Sequence, residues 1–337
     1  MARWTISDIA ERAGVSKTTV SRVLNKRPDV DAETSAKVMG IVEKVGYVRS
    51  AKAMQLAKGR ANVVGLLAPF DTTPWMIEVL RGAMEEVQAT HFSLTLHAFP
   101  GSDDGFERFA TQLRSGFMDA LFVVSLQRPL DALMDAAAGL PVMLLDNYGF
   151  NGGLPAVVPD EATGIAEAVA HLVGVGRRRF AFVAGPADNP VSQPRLDAYR
   201  AALRTHGLEL DEGLIATATF TEPSAREAML AMLGRGATFD ALFASSDAMA
   251  VGAMRALKQR GRQVPRDVSV VGFDDFSASE FTEPRLTTVH NPLFEMSRRA
   301  VARLLKSVTD SAPLAAGDEV VRTHLIIRDS SDPSRGG

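Results

Sequence analysis

From Val63 onward the chain alternates short, uninterrupted apolar runs with longer stretches whose apolar residues recur every three or four positions. The runs are Val63-Val64-Gly65-Leu66-Leu67-Ala68-Pro69, Ala120–Val124, Val142–Leu145, Phe180–Ala184, Ala241–Ala244 and Val268–Phe273. A strand that is apolar on both sides must be covered on both faces, which is the condition of a parallel sheet. The intervening stretches, Met76–Gln88, Glu161–Leu172, Arg195–Thr205, Ala225–Leu233 and Met249–Arg260, carry helical spacing. Repeated strand–helix units leave one economical fold class, a doubly wound α/β sheet. The segment is too long for one sheet of ordinary size, so two similar lobes are expected.

Composition narrows the chemistry. A chain of 337 residues, 46% apolar and 23% charged, has room for two or three domains with real cores. It has no cysteine, which removes disulfide scaffolds, thiolate metal sites and cysteine nucleophiles together. The longest apolar stretch, Ala136–Leu145, is interrupted by Pro141 and is far shorter than a membrane span. Asp8, Glu11 and Arg12 break up the first dozen residues, so no secretory signal is expected and the protein is placed in the cytoplasm. The six histidines, at 91, 97, 171, 206, 290 and 324, have no metal-ligand spacing. No phosphate-binding, serine-hydrolase or zinc-protease motif occurs, and Gly174-Val175-Gly176 precedes a strand, the wrong order for a dinucleotide. Neither enzyme activity, cofactor nor metal is expected.

Net charge is informative only by segment. Residues 1–60 hold 12 Lys and Arg against 6 Asp and Glu, a net +6; the remaining 277 hold 25 against 34, a net −9. A small basic module precedes a large acidic one, and the overall −3 hides both.

The basic module is punctuated for helices. Thr5-Ile6-Ser7-Asp8 reads as a capping box, followed by Ile9, Ala10 and Ala13 on one face and Gly14 as a stop. Ser16 caps a second helix that turns Val20, Val23 and Leu24 inward, and Asp31 to Gly46 bounds a third with Val38, Met39, Val42 and Val45 on one face. Two short helices across a glycine turn, closed by a third, form a helix-turn-helix. The outward side of the second helix carries Lys17, Thr18, Ser21 and Arg22, side chains suited to base edges and phosphates in a major groove. Ser50–Lys58 follows with a helical pattern too short to hold alone.

In doubly wound folds ligands lie beyond the C-terminal ends of the strands. There the sequence places Asp71 to Trp75, Asp146-Asn147, Ser245-Ser246-Asp247 and Asp274-Asp275, with Arg195 opening a helix after a proline-bounded loop. An aromatic plate with carboxylates, an arginine and small hydroxyls suits a polyhydroxylated ligand.

Thr5–Ala10 with Gly14-Val15-Ser16-Lys17-Thr18-Thr19-Val20-Ser21-Arg22-Val23-Leu24-Asn25 resembles the N-terminal signature of the lactose-repressor/galactose-repressor family of bacterial transcription regulators. The resemblance continues through Pro74-Trp75-Met76, Gly185-Pro186, Ser246-Asp247-Ala248-Met249-Ala250 and Val270–Asp275, and so covers nearly the whole chain. It implies that Lys17, Thr18 and Arg22 read bases, and that Thr5, Ser16, Thr19, Ser21 and Asn25 mainly hold phosphates. Tyr47 would mark the end of the third helix. It implies a hinge helix that folds on the operator, with Ala53 and Leu56 at the DNA and Leu56 wedged into a minor-groove step. In the periplasmic-binding-protein-like core it implies Trp75 and Phe220 against the two ligand faces, and Asp146, Arg195, Ser246, Asp274 and Asn291 as polar contacts. Four positions depart from the family pattern: Arg49-Ser50 for Pro-Asn, Ser246 for Asn, and Asn147 for Arg.

The expected organisation is a helix-turn-helix domain at 1–48, a hinge at 49–60, a core N-lobe at 61–158 and 290–318, a C-lobe at 159–289 and 319–330, and a disordered tail at 331–337. The expected function is a ligand-controlled repressor of carbohydrate genes, a homodimer on a palindromic DNA operator with a sugar as effector. A purine- or metabolite-responsive corepressor type is the alternative. A transport-type binding protein would need a signal peptide in place of the basic head, and a sugar-modifying enzyme would need an acid/base pair that is not visible.

Overall fold

A computed structural model describes residues 4–47, 60–69, 74–98, 103–124, 131–146, 153–332 and 334. The chain divides into two compact units, Met1–Ala61 and Asn62–Gly337. In the head, α1 (Ile6–Ala13), α2 (Lys17–Leu24) and α3 (Ala32–Val45) pack together. Each starts on the cap that the sequence announces. The Asp8 N–H meets Thr5 Oγ1 at 3.4 Å while the Thr5 N–H donates back to Asp8 Oδ2 at 2.8 Å. Ser16 Oγ accepts from the Thr19 N–H at 3.0 Å, and Asp31 Oδ1 from Thr34 at 2.8 Å. Gly14 and Gly46 end α1 and α3 at φ 65° and 61°, left-handed values that glycine adopts without a Cβ clash. The core of the head is small: Ile9, Ala10, Ala13, Val20, Val23 and Val38, with Tyr47 and Val42 packed against them. Each fully buried Val or Ile there contributes about 1.5–3 kcal/mol.

The core unit begins with β1 (Val63–Ala68), α4 (Pro74–Gln88), β2 (Ser93–Ala98), α5 (Asp103–Arg114), β3 (Ala120–Val124), α6 (Asp131–Ala136), β4 (Val142–Leu145) and β5 (Ala156–Asp160). It continues with α7 (Glu161–Gly174), β6 (Phe180–Ala184), α8 (Ser192–Thr205), β7 (Ile215–Thr217), α9 (Glu222–Gly234), β8 (Ala241–Ala244), α10 (Asp247–Gln259), β9 (Ser269–Asp274) and β10 (Thr287–His290). It ends with α11 (Leu293–Asp310), β11 (Glu319–Arg322) and β12 (His324–Ile326). Two six-stranded sheets result, ordered β11-β5-β4-β3-β1-β2 and β12-β10-β9-β8-β6-β7. The first sheet pairs in parallel throughout; in the second only β10 and β12 run antiparallel. β3, β4, β6 and β8 are buried along their whole length, which is why their sequences lack polar alternation. No helix among the described residues is long and apolar enough to cross a membrane.

The expected lobe boundaries shift. Residues 319–322, assigned above to the C-lobe, form β11 and pair with β5 in the N-lobe sheet, and β5 itself carries that lobe to Asp160 rather than to residue 158. The chain returns to the second lobe only at Thr323. The expected tail at 331–337 is also corrected at its start. Ser331 is fully buried: its carbonyl accepts from Ser269 Oγ at 2.7 Å, and its hydroxyl meets Thr287 Oγ1 at 2.7 Å and His171 Nε2 at 2.8 Å. A run of Asp and Ser reads as solvent-facing, but here its hydroxyls satisfy buried strand ends.

Three segments pass between the lobes: Asp160 to Glu161, His290 to Leu293, and Arg322 to His324. They are tied where they meet. Thr323 Oγ1 donates to the Asp160 carbonyl at 2.6 Å and accepts from the Gly164 N–H at 3.0 Å. A Cβ on Gly164 would strike Thr323 and Val289, so glycine there permits the close approach.

Candidate functional site

The head presents its polar face as the helical spacing requires. Val20 and Val23 are buried, while Lys17, Thr18 and Arg22 on the same helix are exposed. Arg22 meets Asp29 at 3.0 Å, a half-exposed pair of little energetic weight that a base or phosphate can displace. Thr5 and Ser16 sit at the N-termini of α1 and α2, where unpaired N–H groups and the helix dipole favour an anion such as phosphate. The Thr19 hydroxyl lies 2.9 Å from Ser16 Oγ, and Asn25 Nδ2 reaches Ser21 Oγ at 3.5 Å. Tyr47 is half-buried against the head core, so it closes the module as well as ending it. Ala53 and Leu56, with the whole expected hinge helix, lie outside the described residues.

In the core unit, Arg195 stands at the centre. It is 4% exposed, on the first turn of α8. Its Nε donates to Glu161 Oε1 at 2.7 Å, its Nη2 lies 2.7 Å from the same oxygen, and its Nη1 donates to the Ser245 carbonyl at 2.7 Å. The guanidinium lies 4.0 Å over the Phe273 ring, a cation–π contact. Burial opposes its charge, but Glu161, Asp274 and Asp146 hold its pKa above the ordinary arginine value. Asp274 ends β9; burial raises its pKa well above the ordinary value, against the pull of Arg195 and a hydrogen bond from Asn291. The Asn291 N–H donates to the Asp274 carbonyl at 3.3 Å. A carboxyl from a strand end, an arginine from the first turn of a helix and an amide from a crossover thus converge on one place.

Backbone strain marks the same residues. Asp146, Phe220 and Asp274 are among the few described non-glycine residues with positive φ, at 51°, 57° and 116°. Such conformations cost of order 1–3 kcal/mol each and persist where the surroundings hold them, often around ligands. Three buried polar atoms here have no hydrogen-bond partner among the described residues: Ser192 Oγ, Ser245 Oγ and Asn291 Oδ1. Buried oxygens of this kind are normally satisfied, so these three keep capacity for further hydrogen bonds. The Phe220 ring closes on Gly185 and Ser192 so tightly that a Cβ at Gly185 would collide with both.

Two further expected residues have partners within the protein. Ser246 is buried and its hydroxyl caps α10, accepting from the Met249 N–H at 3.2 Å. Trp75, half-buried on the first turn of α4, packs against the N-lobe hydrophobic cluster. Asp71, Thr72, Thr73 and Asn147 lie outside the described residues. Among the described residues, no group of three or more His, Asp and Glu could hold a metal ion.

Comparison with known proteins decides the family. Residues 5–50 match the model of bacterial regulatory proteins of the lacI family, and residues 169–331 match that of the periplasmic binding protein-like domain. The ribose operon repressor of Escherichia coli strain K12 is 31% identical over 90% of this chain and 93% of its own length. This chain belongs to the lacI family. The HTH-type transcriptional regulator CelR of Thermobifida fusca is 34% identical over 97% of this chain and 98% of its own. A solved CelR–cellobiose complex superposes with TM-score 0.73 at 32% identity, covering 97% of this chain and all of the other. The lac repressor dimer bound to operator and an anti-inducer shares the fold at TM-score 0.88 and 24% identity, covering 98% of this chain and all of the other. As a lacI-family member the protein is a DNA-binding transcriptional regulator and not an enzyme.

Sequence reasoning missed one member of the core site, Glu161, and grouped Asp247 with the ligand-side strand ends. Glu161 was visible only as the start of a helix, and its pairing with Arg195, 34 residues away, depends on where the crossovers meet. Asp247, next to Ser246, turns instead into the protein: it accepts from Thr288 Oγ1 and Ser279 Oγ at 2.5 Å each and from the Phe276 N–H at 2.9 Å. Burial pushes its pKa up to about 6 despite these bonds.

Proposed function

We propose that this regulator is a repressor whose effector is a sugar held at the crossovers between the core lobes, by Arg195, Asp146, Asp274 and Asn291, with Phe220 and Trp75 against its apolar faces. The observation that carries this reading is the convergence of strained and incompletely bonded polar residues around Arg195. Sugars offer alternating hydroxyls and apolar C–H faces, which such a mixture of carboxyl, amide, hydroxyl and aromatic groups complements. Relatives named for a ribose operon and for a cellobiose complex support the same class. The protein acts in the cytoplasm as a homodimer, with paired α2 helices in successive major grooves of a palindromic operator. Lys17, Thr18 and Arg22 read bases there; Thr5, Ser16, Thr19, Ser21 and Asn25 hold the backbone. The residues from 49 to 60 link head and core, so that effector binding in the core changes operator binding by the head.

The chain has two tryptophans, Trp4 and Trp75, so a Trp4→Phe variant leaves Trp75 as the only indole reporter. Titration with ribose, cellobiose and glucose should change its fluorescence saturably for at least one of them. No change with any sugar, in protein that still binds DNA, contradicts the assignment.

A further inference from the structure

The charge balance around Arg195 says what kind of sugar the site takes. Glu161 opens α7 directly after the cap residue Asp160, so its carboxylate sits at a helix N-terminus where negative charge is favoured. It is 6% exposed and accepts the Nε–H, with Nη2 at 2.7 Å from the same oxygen, while an Nη1 N–H goes to the Ser245 carbonyl. A guanidinium has five N–H donors in all, more than these two hydrogen bonds use. Arg195 therefore keeps hydrogen-bonding capacity, but its positive charge is already matched inside the protein. Two further acids, Asp274 and Asp146, act electrostatically on the same guanidinium. Among the described residues, Arg195 is the cation that acts most strongly on Asp274.

The hydrogen-bond inventory points the same way. Among the described residues the side-chain atoms left over are Asn291 Oδ1, which only accepts, and the Ser192 and Ser245 hydroxyls, which can accept as well as donate. A neutral polyol brings an O–H donor with each oxygen. A phosphate or carboxylate brings acceptors alone and adds negative charge to buried acids.

We propose that Glu161 sets the charge specificity of the effector site: by neutralising Arg195 it reserves the site for uncharged polyols and bars anionic sugars such as phosphate esters and uronates. This rests on the sugar reading given above. Glu161 acts through Arg195 and is a positioning and charge-setting residue rather than a ligand contact.

The test uses the full-length protein and thermal melting at matched ionic strength, since a ligand that binds the native state raises its stability. Ribose, cellobiose and glucose serve as neutral probes, ribose 5-phosphate and glucose 6-phosphate as anionic ones, and inorganic phosphate as a probe of charge alone. Wild-type protein should respond to a neutral sugar and to none of the anions. Glu161→Gln keeps the shape and one acceptor for Arg195 but removes the countercharge. It should bind inorganic phosphate and the esters on the order of tenfold tighter than wild type or better. The gain should vanish in a Glu161→Gln, Arg195→Met double variant. Should the Gln variant fold poorly, Glu161→Ser serves the same comparison. Wild-type stabilisation by an ester as strong as that by its parent sugar overturns the proposal, as does a variant that gains no anion. If no neutral sugar moves the wild-type transition, the sugar reading fails, while the inorganic-phosphate arm still decides what Glu161 does.

Discussion

The head and the core place their functional side chains in opposite environments. In the head, Lys17, Thr18 and Arg22 stand in solvent on a helix whose other face holds the fold together. In the core, Arg195, Ser246 and Asn291 are buried, and Glu161 and Asp247 with them. Exposed side chains pay no desolvation cost on folding, so the DNA-reading face is free to vary without unfolding the head. Buried polar side chains are held by one another, and changing one leaves its partner unsatisfied. Recognition and stability are therefore separable in the head and entangled in the core.

The largest break in that comparison is Arg195→Ala, which strands Glu161 as a buried, uncompensated acid. Loss of one partner of such a pair costs about 3–5 kcal/mol, so the urea midpoint of the core should fall sharply while the head is unaffected. A core that melts like wild type would mean that the pair is not under the constraint described.

Asp247 sharpens the same point through pH. Its folded pKa of about 6 lies above the ordinary 3.8, so the native state binds more protons than the unfolded chain between those values. Its contribution is most favourable below about pH 4 and is lost as pH rises through about 6, on the order of 3 kcal/mol in all. Measured as the difference in urea stability between wild type and Asp247→Asn, the wild-type advantage should shrink from pH 4 to pH 6.5. An advantage that is flat or grows over that range contradicts the burial argument.

In the head, Ser16→Ala removes a cap and should cost about 1 kcal/mol of head stability, read from the melting of α2. Arg22→Ala should have the smallest effect on folding, within about 0.5 kcal/mol, because its pair with Asp29 is exposed. A loss of head stability above that would show that recognition and folding are coupled there after all.

These two environments also explain what the amino-acid sequence made legible. Strands β3, β4, β6 and β8 were bounded to the residue, because a fully buried strand has no polar positions to blur its ends. The head caps were equally plain, since capping is local. The edge strand β2, Ser93–Ala98, was not read: with mixed polar and apolar positions and no fully buried residue it has no distinct pattern. The swap of β11 into the first sheet was missed because strand pairing between Glu319 and Val157 is not a local property. Among the site residues, those at strand ends, Asp146, Ser246 and Asp274, could be picked out by position alone. Glu161 could not, since only the meeting of three crossovers brings it to Arg195. Nor does a sequence distinguish Ser246, whose hydroxyl caps a helix, from a serine aimed at a ligand.

The central claim is that this regulator reads a specific DNA sequence through the exposed face of α2. Selection from a random duplex pool with the full-length protein, repeated with Arg22→Ala, tests it most directly. Wild type should enrich a palindromic site, with affinity falling steeply as salt rises, while Arg22→Ala retains salt-dependent binding and loses discrimination at the contacted base, worth about 1–3 kcal/mol. Enrichment of the same palindrome, with the same preference at every position, by both proteins would contradict it.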